Sequence, residues 1–253
     1  MSEITFSVVI PTHNRVDALA HAVESVLEQT LAPIEVLIVD NGSCAVQVSE
    51  LPASALIKVV RAMPGIGASQ ARNIGAVMAN GSHIAFLDDD DAWEPDYLAE
   101  LAKVYQEARA DVVLGSRKLM HSREVVPAKS VPVRDQAWFR QELLMGNPGV
   151  SGSCISVRRE CLLWTAGFDP LLVTGEDRGL VLELSQAGMH IERAERAFVL
   201  FRAENGPSER LNQPRNLAIG RRRYLRKYWD LYNWRQRGLL IKQYIRLKFT
   251  GKL

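Results

Sequence analysis

Ser82-His83-Ile84-Ala85-Phe86-Leu87-Asp88-Asp89-Asp90-Asp91 is the stretch that decides how this chain is read. Residues 82–87 form a short apolar run of the kind a strand buried on both faces requires. That run passes without a spacer into four carboxylates. Adjacent carboxylates repel one another unless a cation sits among them. Hard oxygen ligands suit Mg²⁺ or Mn²⁺. The same residues also suit a solvated acidic loop or a helix N-terminus, where acids are favoured. Charge alone leaves these readings level, so the place of the run in the fold must separate them.

Working outward, residues 6–10 and 34–39 read as buried strands, and residues 56–60 as a third. The first is stopped by Pro11 and the second by the turn Asp40-Asn41-Gly42-Ser43. Between them, residues 15–29 carry apolar side chains at Val16, Leu19, Ala22, Val23, Val26 and Leu27, a helical stripe. Residues 67–79 are helical and end at Asn80-Gly81. Pro95 opens a helix to about residue 108, in the position proline prefers. The alternation predicts an α/β fold with a mainly parallel central sheet flanked by helices. In such sheets ligands bind beyond the carboxyl ends of the strands. Residues 11–14, 40–43 and 88–91 then share one rim, and that tips the aspartates toward metal.

Beyond residue 110 the pattern is less regular. Residues 112–119 read as strand and 136–144 as helix. Residues 147–157 are a Gly/Ser/Pro-rich loop entering a strand. Residues 175–186 turn helical after opening on acids, and 191–202 hold one or two strands. The expected organisation is one catalytic domain over 1–206, with a nucleotide-binding half to about 115 and an acceptor half from about 116. Residues 207–253 form a helical extension.

Nearly half of the 253 residues are hydrophobic, enough for a real core. No apolar run approaches a membrane span or a signal sequence, so a cytoplasmic or peripheral location is expected. Cys44, Cys154 and Cys161 lack metal spacing and read as small hydrophobes. His13, His21, His83, His121 and His190 have no partners at ligand spacing. Glu176-Asp177 at a helix start is ordinarily a cap, and becomes a candidate general base beside a metal site. Gly65-Ile66-Gly67-Ala68-Ser69-Gln70 fails as a dinucleotide fingerprint, because Gln70 holds the third glycine position. Arg72, one turn later, faces either phosphates or solvent.

Together, Ser7-Val8-Val9-Ile10-Pro11-Thr12-His13-Asn14-Arg15, Val39-Asp40-Asn41-Gly42-Ser43, Gly67-Ala68-Ser69-Gln70-Ala71-Arg72-Asn73-Ile74-Gly75, Phe86-Leu87-Asp88-Asp89-Asp90-Asp91-Ala92-Trp93-Glu94-Pro95-Asp96, Gly167-Phe168-Asp169 and Gly175-Glu176-Asp177 resemble the family 2 inverting glycosyltransferases in order and approximate spacing. The resemblance covers about residues 5–205. It implies a Rossmann-like GT-A fold and transfer of a sugar from a nucleotide-diphospho-sugar, a UDP-sugar by preference, in polysaccharide, glycolipid or other glycoconjugate assembly. By that resemblance Pro11, Thr12, Asn14, Asn41, Arg72 and Asp89 line the nucleotide-sugar pocket. Asp40 matches the residue that hydrogen-bonds the base, and Asp88 the ribose contact. Asp90 matches the ligand of a Mn²⁺ or Mg²⁺ ion, and Asp177 the catalytic base. Trp93, Gly152 and Glu176 are expected near the acceptor or donor sugar. One departure stands out: the family often has a histidine where this chain has Glu204. A carboxylate there is a candidate second metal ligand but repels diphosphate.

Charge is unevenly spread. Residues 1–209 carry 18 Lys/Arg against 28 Asp/Glu, and residues 210–253 carry 13 against Asp230 alone. Aromatic and aliphatic residues are interleaved with those cations, which suits an interfacial helix drawn to an anionic membrane and a saccharide or lipid-linked acceptor. The competing reading is a helix packed on the domain with its basic face in water. It is preferred as far as about Tyr232, and the membrane reading beyond. No nucleic-acid-reading module is visible. Two other functions compete. A sugar nucleotidyltransferase needs a Gly-rich loop after the first strand, which Pro11-Thr12-His13-Asn14 is not. A catalytically impaired nucleotide-sugar-binding protein has only Glu204 in its favour.

Overall fold

A computed structural model describes residues 3–121, 124–202 and 214–249. In chain order the elements are β1 (Phe6–Thr12), α1 (Val16–Leu27), β2 (Glu35–Asp40), β3 (Ile57–Arg61), α2 (Ala68–Met78), β4 (His83–Phe86), β5 (Asp91–Trp93), α3 (Tyr97–Ala108), β6 (Val112–His121), β7 (Glu124–Pro127), α4 (Gln136–Met145), β8 (Ile155–Arg158), α5 (Arg159–Leu163), α6 (Glu176–Gln186), β9 (Ile191–Arg202), α7 (Pro214–Lys227) and α8 (Trp234–Phe249). One sheet joins all the described strands in the order β3-β2-β1-β4-β8-β6-β9-β5, with β7 hairpinned onto β6.

Through β3, β2, β1 and β4 the sheet is parallel, as the strand–helix alternation predicts. Beyond β4 it is mixed. β8 runs antiparallel to both β4 and β6, whereas β6 and β9 are parallel. The reversal has a use. An antiparallel β8 starts where β4 ends, so the turn before it, Gly152–Cys154, arrives beside the aspartate run. The run itself is divided. Asp91 N–H donates to the Asp88 carbonyl (3.2 Å), and Asp91 already belongs to β5, opposite Phe201 of β9. This short strand, the β7 hairpin and α5 are too brief to leave a periodic signal.

Alternating side chains divide the interior into two layers. Val9, Leu37, Phe86 and Ile84 face one layer with α2, α4 and α6, while Val8, Ile10, Ala85 and Leu87 face the other with α1 and α3. Gly75 lets α2 lie directly on β1, since a Cβ there would collide with Val9 Cγ1.

The extension is not a separate body at its start. Tyr224, Tyr228 and Tyr232 are buried in the first layer. Their hydroxyls donate to the Leu143 carbonyl (3.0 Å), Glu183 (2.6 Å) and the Leu144 carbonyl (2.7 Å). The packed-helix reading therefore holds for α7. Further on, Trp234, Leu239 and Ile241 of α8 are exposed. No helix among the described residues is long and apolar enough to cross a membrane.

Candidate active site

The carboxyl ends of β1 and β2 build one wall. Asn41 donates from its backbone and its side chain to the Thr12 carbonyl (3.0 and 2.8 Å), locking the two strand ends together. Asn14 sits at φ +57°, a region Asn tolerates. Its side-chain oxygen accepts from Ser43 N–H (2.8 Å). Pro11, Thr12, Asn14 and Asn41 all line the resulting cleft.

The aspartates divide their labour. Asp89 is buried, accepting from the Thr12 hydroxyl (2.8 Å) and from Arg15 (3.2 Å). Burial, with repulsion from Asp90 and Asp88, pushes its carboxyl up to about 6 despite those two partners. Asp90 lines the cleft and takes the same Arg15 guanidinium at 3.1 Å. Asp88 accepts from Arg72 at 2.5 Å, and its backbone N–H is held by the Ser153 hydroxyl (3.1 Å). Ser153 in turn donates to Asp91 (2.5 Å), so one serine ties both ends of the run.

Arg72 is the hub of the opposite side. Although buried, it bonds Asp88 and, at 3.2 Å, Glu176, and its guanidinium lies 5.0 Å from the Phe168 ring centroid. Burial opposes its charge, but Asp88 and Glu176 more than offset that and hold it firmly protonated. Its Nε is buried without a hydrogen-bond partner. Gly152 lies against this pair, and a Cβ there would stand 2.6 Å from Arg72 Nη2 and 3.0 Å from Asp88 Oδ1. Next to Arg72, Asn73 pairs with Phe168 in both directions, donating to its carbonyl (2.9 Å) and accepting from its N–H (2.8 Å). The two motifs are thus parts of one joint.

Asp177 follows Gly175, whose φ of +82° turns the chain into α6. Burial, then repulsion from Glu176, raises its carboxyl to about 7, against the pull of the Arg178 N–H, Arg72 and Arg178. A carboxylate that titrates near neutrality in a cleft is suited to general-base work.

These residues converge on one open cleft of about 700 Å³. Among the described residues its lining includes Asp88, Asp89, Asp90, Asp91, Glu176 and Asp177, but only two arginines, Arg15 and Arg72. Such a cleft repels an anionic ligand unless a cation enters with it. The donor set is all hard oxygen and fits Mg²⁺ or Mn²⁺. Among the described residues no three His, Cys, Asp or Glu side chains form a ready-made cage. These ions need only one or two carboxylates when phosphates supply the remainder.

Two expected site residues lie off this cleft, and a third is not among the described residues. Trp93 does not reach the cleft: it is buried, stacked on Tyr97 at 4.4 Å, and its indole donates to the Ser153 carbonyl (3.0 Å), so it props the site from beneath. Asp40 does not line the cleft either, because the turn after β2 folds over it. Its oxygens accept from Gly42 N–H (2.8 Å), Val46 N–H (2.9 Å) and Arg61 (2.6 Å), and these overcome burial to keep its pKa low. Glu204 lies outside the described residues. Conversely, Arg15, Ser153 and Phe201 were not singled out from the sequence. Arg15 follows the first strand directly and had a positional signal. Ser153 and Phe201 had none, because strand pairing alone brings them here.

A family model described as Glycosyl transferase family 2 matches residues 7–162. A Haemophilus influenzae protein named an uncharacterized glycosyltransferase is 28% identical over 181 residues, covering 71% of this chain and 62% of that one. The amylovoran biosynthesis glycosyltransferase AmsB of Erwinia amylovora is 33% identical over 106 residues, covering 40% and 35%. The chain thus spans less than two thirds of these relatives. Among solved structures, Staphylococcus aureus TarS in complex with UDP superposes with a TM-score of 0.62 at 21% identity, covering 79% of this chain and 61% of that one. GalNAc-T7 with UDP, GalNAc and Mn²⁺ gives 0.67 at 19%, covering 90% and 48%. These likenesses establish the GT-A fold.

Proposed function

Since the chain belongs to glycosyl transferase family 2, we propose that it is an inverting glycosyltransferase that moves a sugar from a UDP-sugar to an acceptor hydroxyl in polysaccharide or other glycoconjugate assembly. The observation that carries this reading is the convergence of Asp177 with the aspartate run on one cleft. UDP in TarS and UDP with Mn²⁺ in GalNAc-T7 support the choice of donor and cofactor.

Inverting transfer is one displacement at the anomeric carbon. The acceptor oxygen forms a bond as the bond to the diphosphate breaks. Asp177 accepts the acceptor's proton, an effect typically worth about 10² to 10⁴ in rate. Arg72, held by Asp88 and Glu176, places a fixed positive charge beside the departing diphosphate. Asp90, with Asp88 beside it, would hold a divalent ion. When bound, that ion supplies Lewis-acid stabilisation of the leaving group. Thr12, Asn14 and Asn41 shape the nucleotide wall. We place the protein at the cytoplasmic face of a membrane, with a saccharide or lipid-linked acceptor.

The test is thermal shift with UDP-, GDP- and dTDP-sugars, with and without Mn²⁺, since ligand binding raises apparent stability by mass action. A UDP-sugar is expected to raise the melting temperature only with Mn²⁺, and Asp90→Ala to remove that dependence. Equal shifts without metal would remove Asp90 from its role.

A further inference from the structure

Outside the cleft, the face made by α2, the loop after α5 and the outer side of α7 combines exposed apolar residues with a row of arginines. We propose that this face seats the protein on an anionic lipid surface. Trp164 is 85% exposed, Leu171 70% and Val77 67%. On α2, Ile74, Val77 and Met78 follow helical spacing and, with Asn73, line a shallow apolar hollow of about 320 Å³.

Named contacts join these three elements. α2 packs on α5. Asn73 clamps Phe168. Arg223 of α7 donates to the Leu171 carbonyl (2.6 Å), and Lys227 bonds Asp169 (2.5 Å). With Gly220, Tyr224 and Tyr228 turned inward, helical geometry puts Ile219, Arg222, Arg223 and Arg226 on the outer side. Two nearby acids are already neutralised, Glu160 by Arg158 and Asp169 by Lys227.

Charge decides the occupant. A second copy docked about a two-fold axis would bring the same arginine row to its own interface. Anionic headgroups complement that row, while Trp164, Leu171 and Val77 reach the acyl boundary, the pattern of an interfacial surface. The placement also suits the proposed chemistry. Leu171 is two residues from Val173, which lines the cleft, and Gly220 abuts Thr174 in the same lining. A membrane under this face brings a lipid-linked hydroxyl to the Asp177 side. The inference rests on the transferase reading only for that last point.

Flotation of the full chain with vesicles of phosphatidylglycerol and phosphatidylcholine in equal parts, without donor, tests it. Wild type should float with these vesicles, weakly with phosphatidylcholine alone, and less as salt rises. Arg222→Ala with Arg226→Ala should lower partitioning about fivefold per charge. Trp164→Ser with Leu171→Ser should lower it by a similar factor, with unchanged melting temperature in both pairs. Failure to float, indifference to lipid charge, or wild-type flotation by both double variants would overturn the proposal. The last result would move any membrane contact to α8. Each of these leaves donor binding, and hence the transferase reading, to be judged by its own assay.

Discussion

Gly152 is a residue whose chemistry consists of having no side chain. It lets the turn before β8 press against the Arg72–Asp88 pair, which even one methyl would displace. Gly152→Ala is expected to weaken donor binding at least tenfold in titration while leaving the fold intact, because the clash falls on two cleft side chains rather than on core. Arg72→Lys should also fail. A lysine offers one point charge where Arg72 spans two carboxylates with separate nitrogens. Rescue of donor affinity by Lys would reduce Arg72 to a simple cation. At this scale the sequence was most informative where residues follow strands 1 and 4 directly. It was least so at Trp93, expected near the acceptor or donor sugar. Its indole is instead spent under Ser153. Asp40, matched by resemblance to the base contact, is seen here clamping its own turn.

At the scale of elements, the first basic helix was legible as one packed on the domain as far as about Tyr232, and the structure shows how: Tyr224 of α7, with Tyr228 and Tyr232 just beyond it, turns into the core. Tyr224→Ala is expected to cost about 3 to 5 kcal/mol, as large aromatic truncations do. For a chain this size that lowers the melting temperature by roughly 6 to 20 °C. Tyr224→Phe keeps the ring and leaves only the Leu143 carbonyl without its donor, about 1 kcal/mol. Calorimetry on both variants separates packing from hydrogen bonding, and equal losses would contradict the buried-ring account. The parallel half of the sheet was legible because each strand is an unbroken apolar run bounded by turns. β5 and β7 were not, since strands of three or four residues gain their pairing from neighbours rather than from pattern.

For the whole molecule, the acidic cleft predicts an unusual response to pH. The carboxyls of Asp89 and Asp177 are raised in the folded state, to about 6 and about 7. Between those values and the ordinary Asp range near 4, the folded chain binds more protons than the unfolded one. Stability without metal should therefore rise as pH falls from about 7.5 to about 5, less steeply below about 6.5, where buried His83, its pKa lowered to about 4, opposes the rise because the unfolded imidazole takes its proton first. Below about 4 it should fall, because Glu35, Asp40 and Asp169 have lowered pKa values and lose their bonds on protonation. Mn²⁺ with nucleotide at neutral pH should also stabilise, by placing positive charge at Asp90 among the crowded carboxylates of the cleft. Melting temperatures across that range, with and without Mn²⁺ and UDP, test the charge imbalance; a flat metal-free profile between about pH 7.5 and 5 would contradict it.

The central claim is that Asp177 takes the acceptor's proton in a cleft that other residues assemble. The most direct measurement is sugar release from the UDP-sugar selected by thermal shift, with Mn²⁺, for wild type and Asp177→Asn as a function of pH. The account predicts that wild-type rates climb as pH rises through about 7, where the base ionises. It predicts that Asp177→Asn binds donor equally well but is slower by about 10² to 10⁴ and loses that pH dependence. Wild-type rates from Asp177→Asn, with the same pH profile, would contradict it.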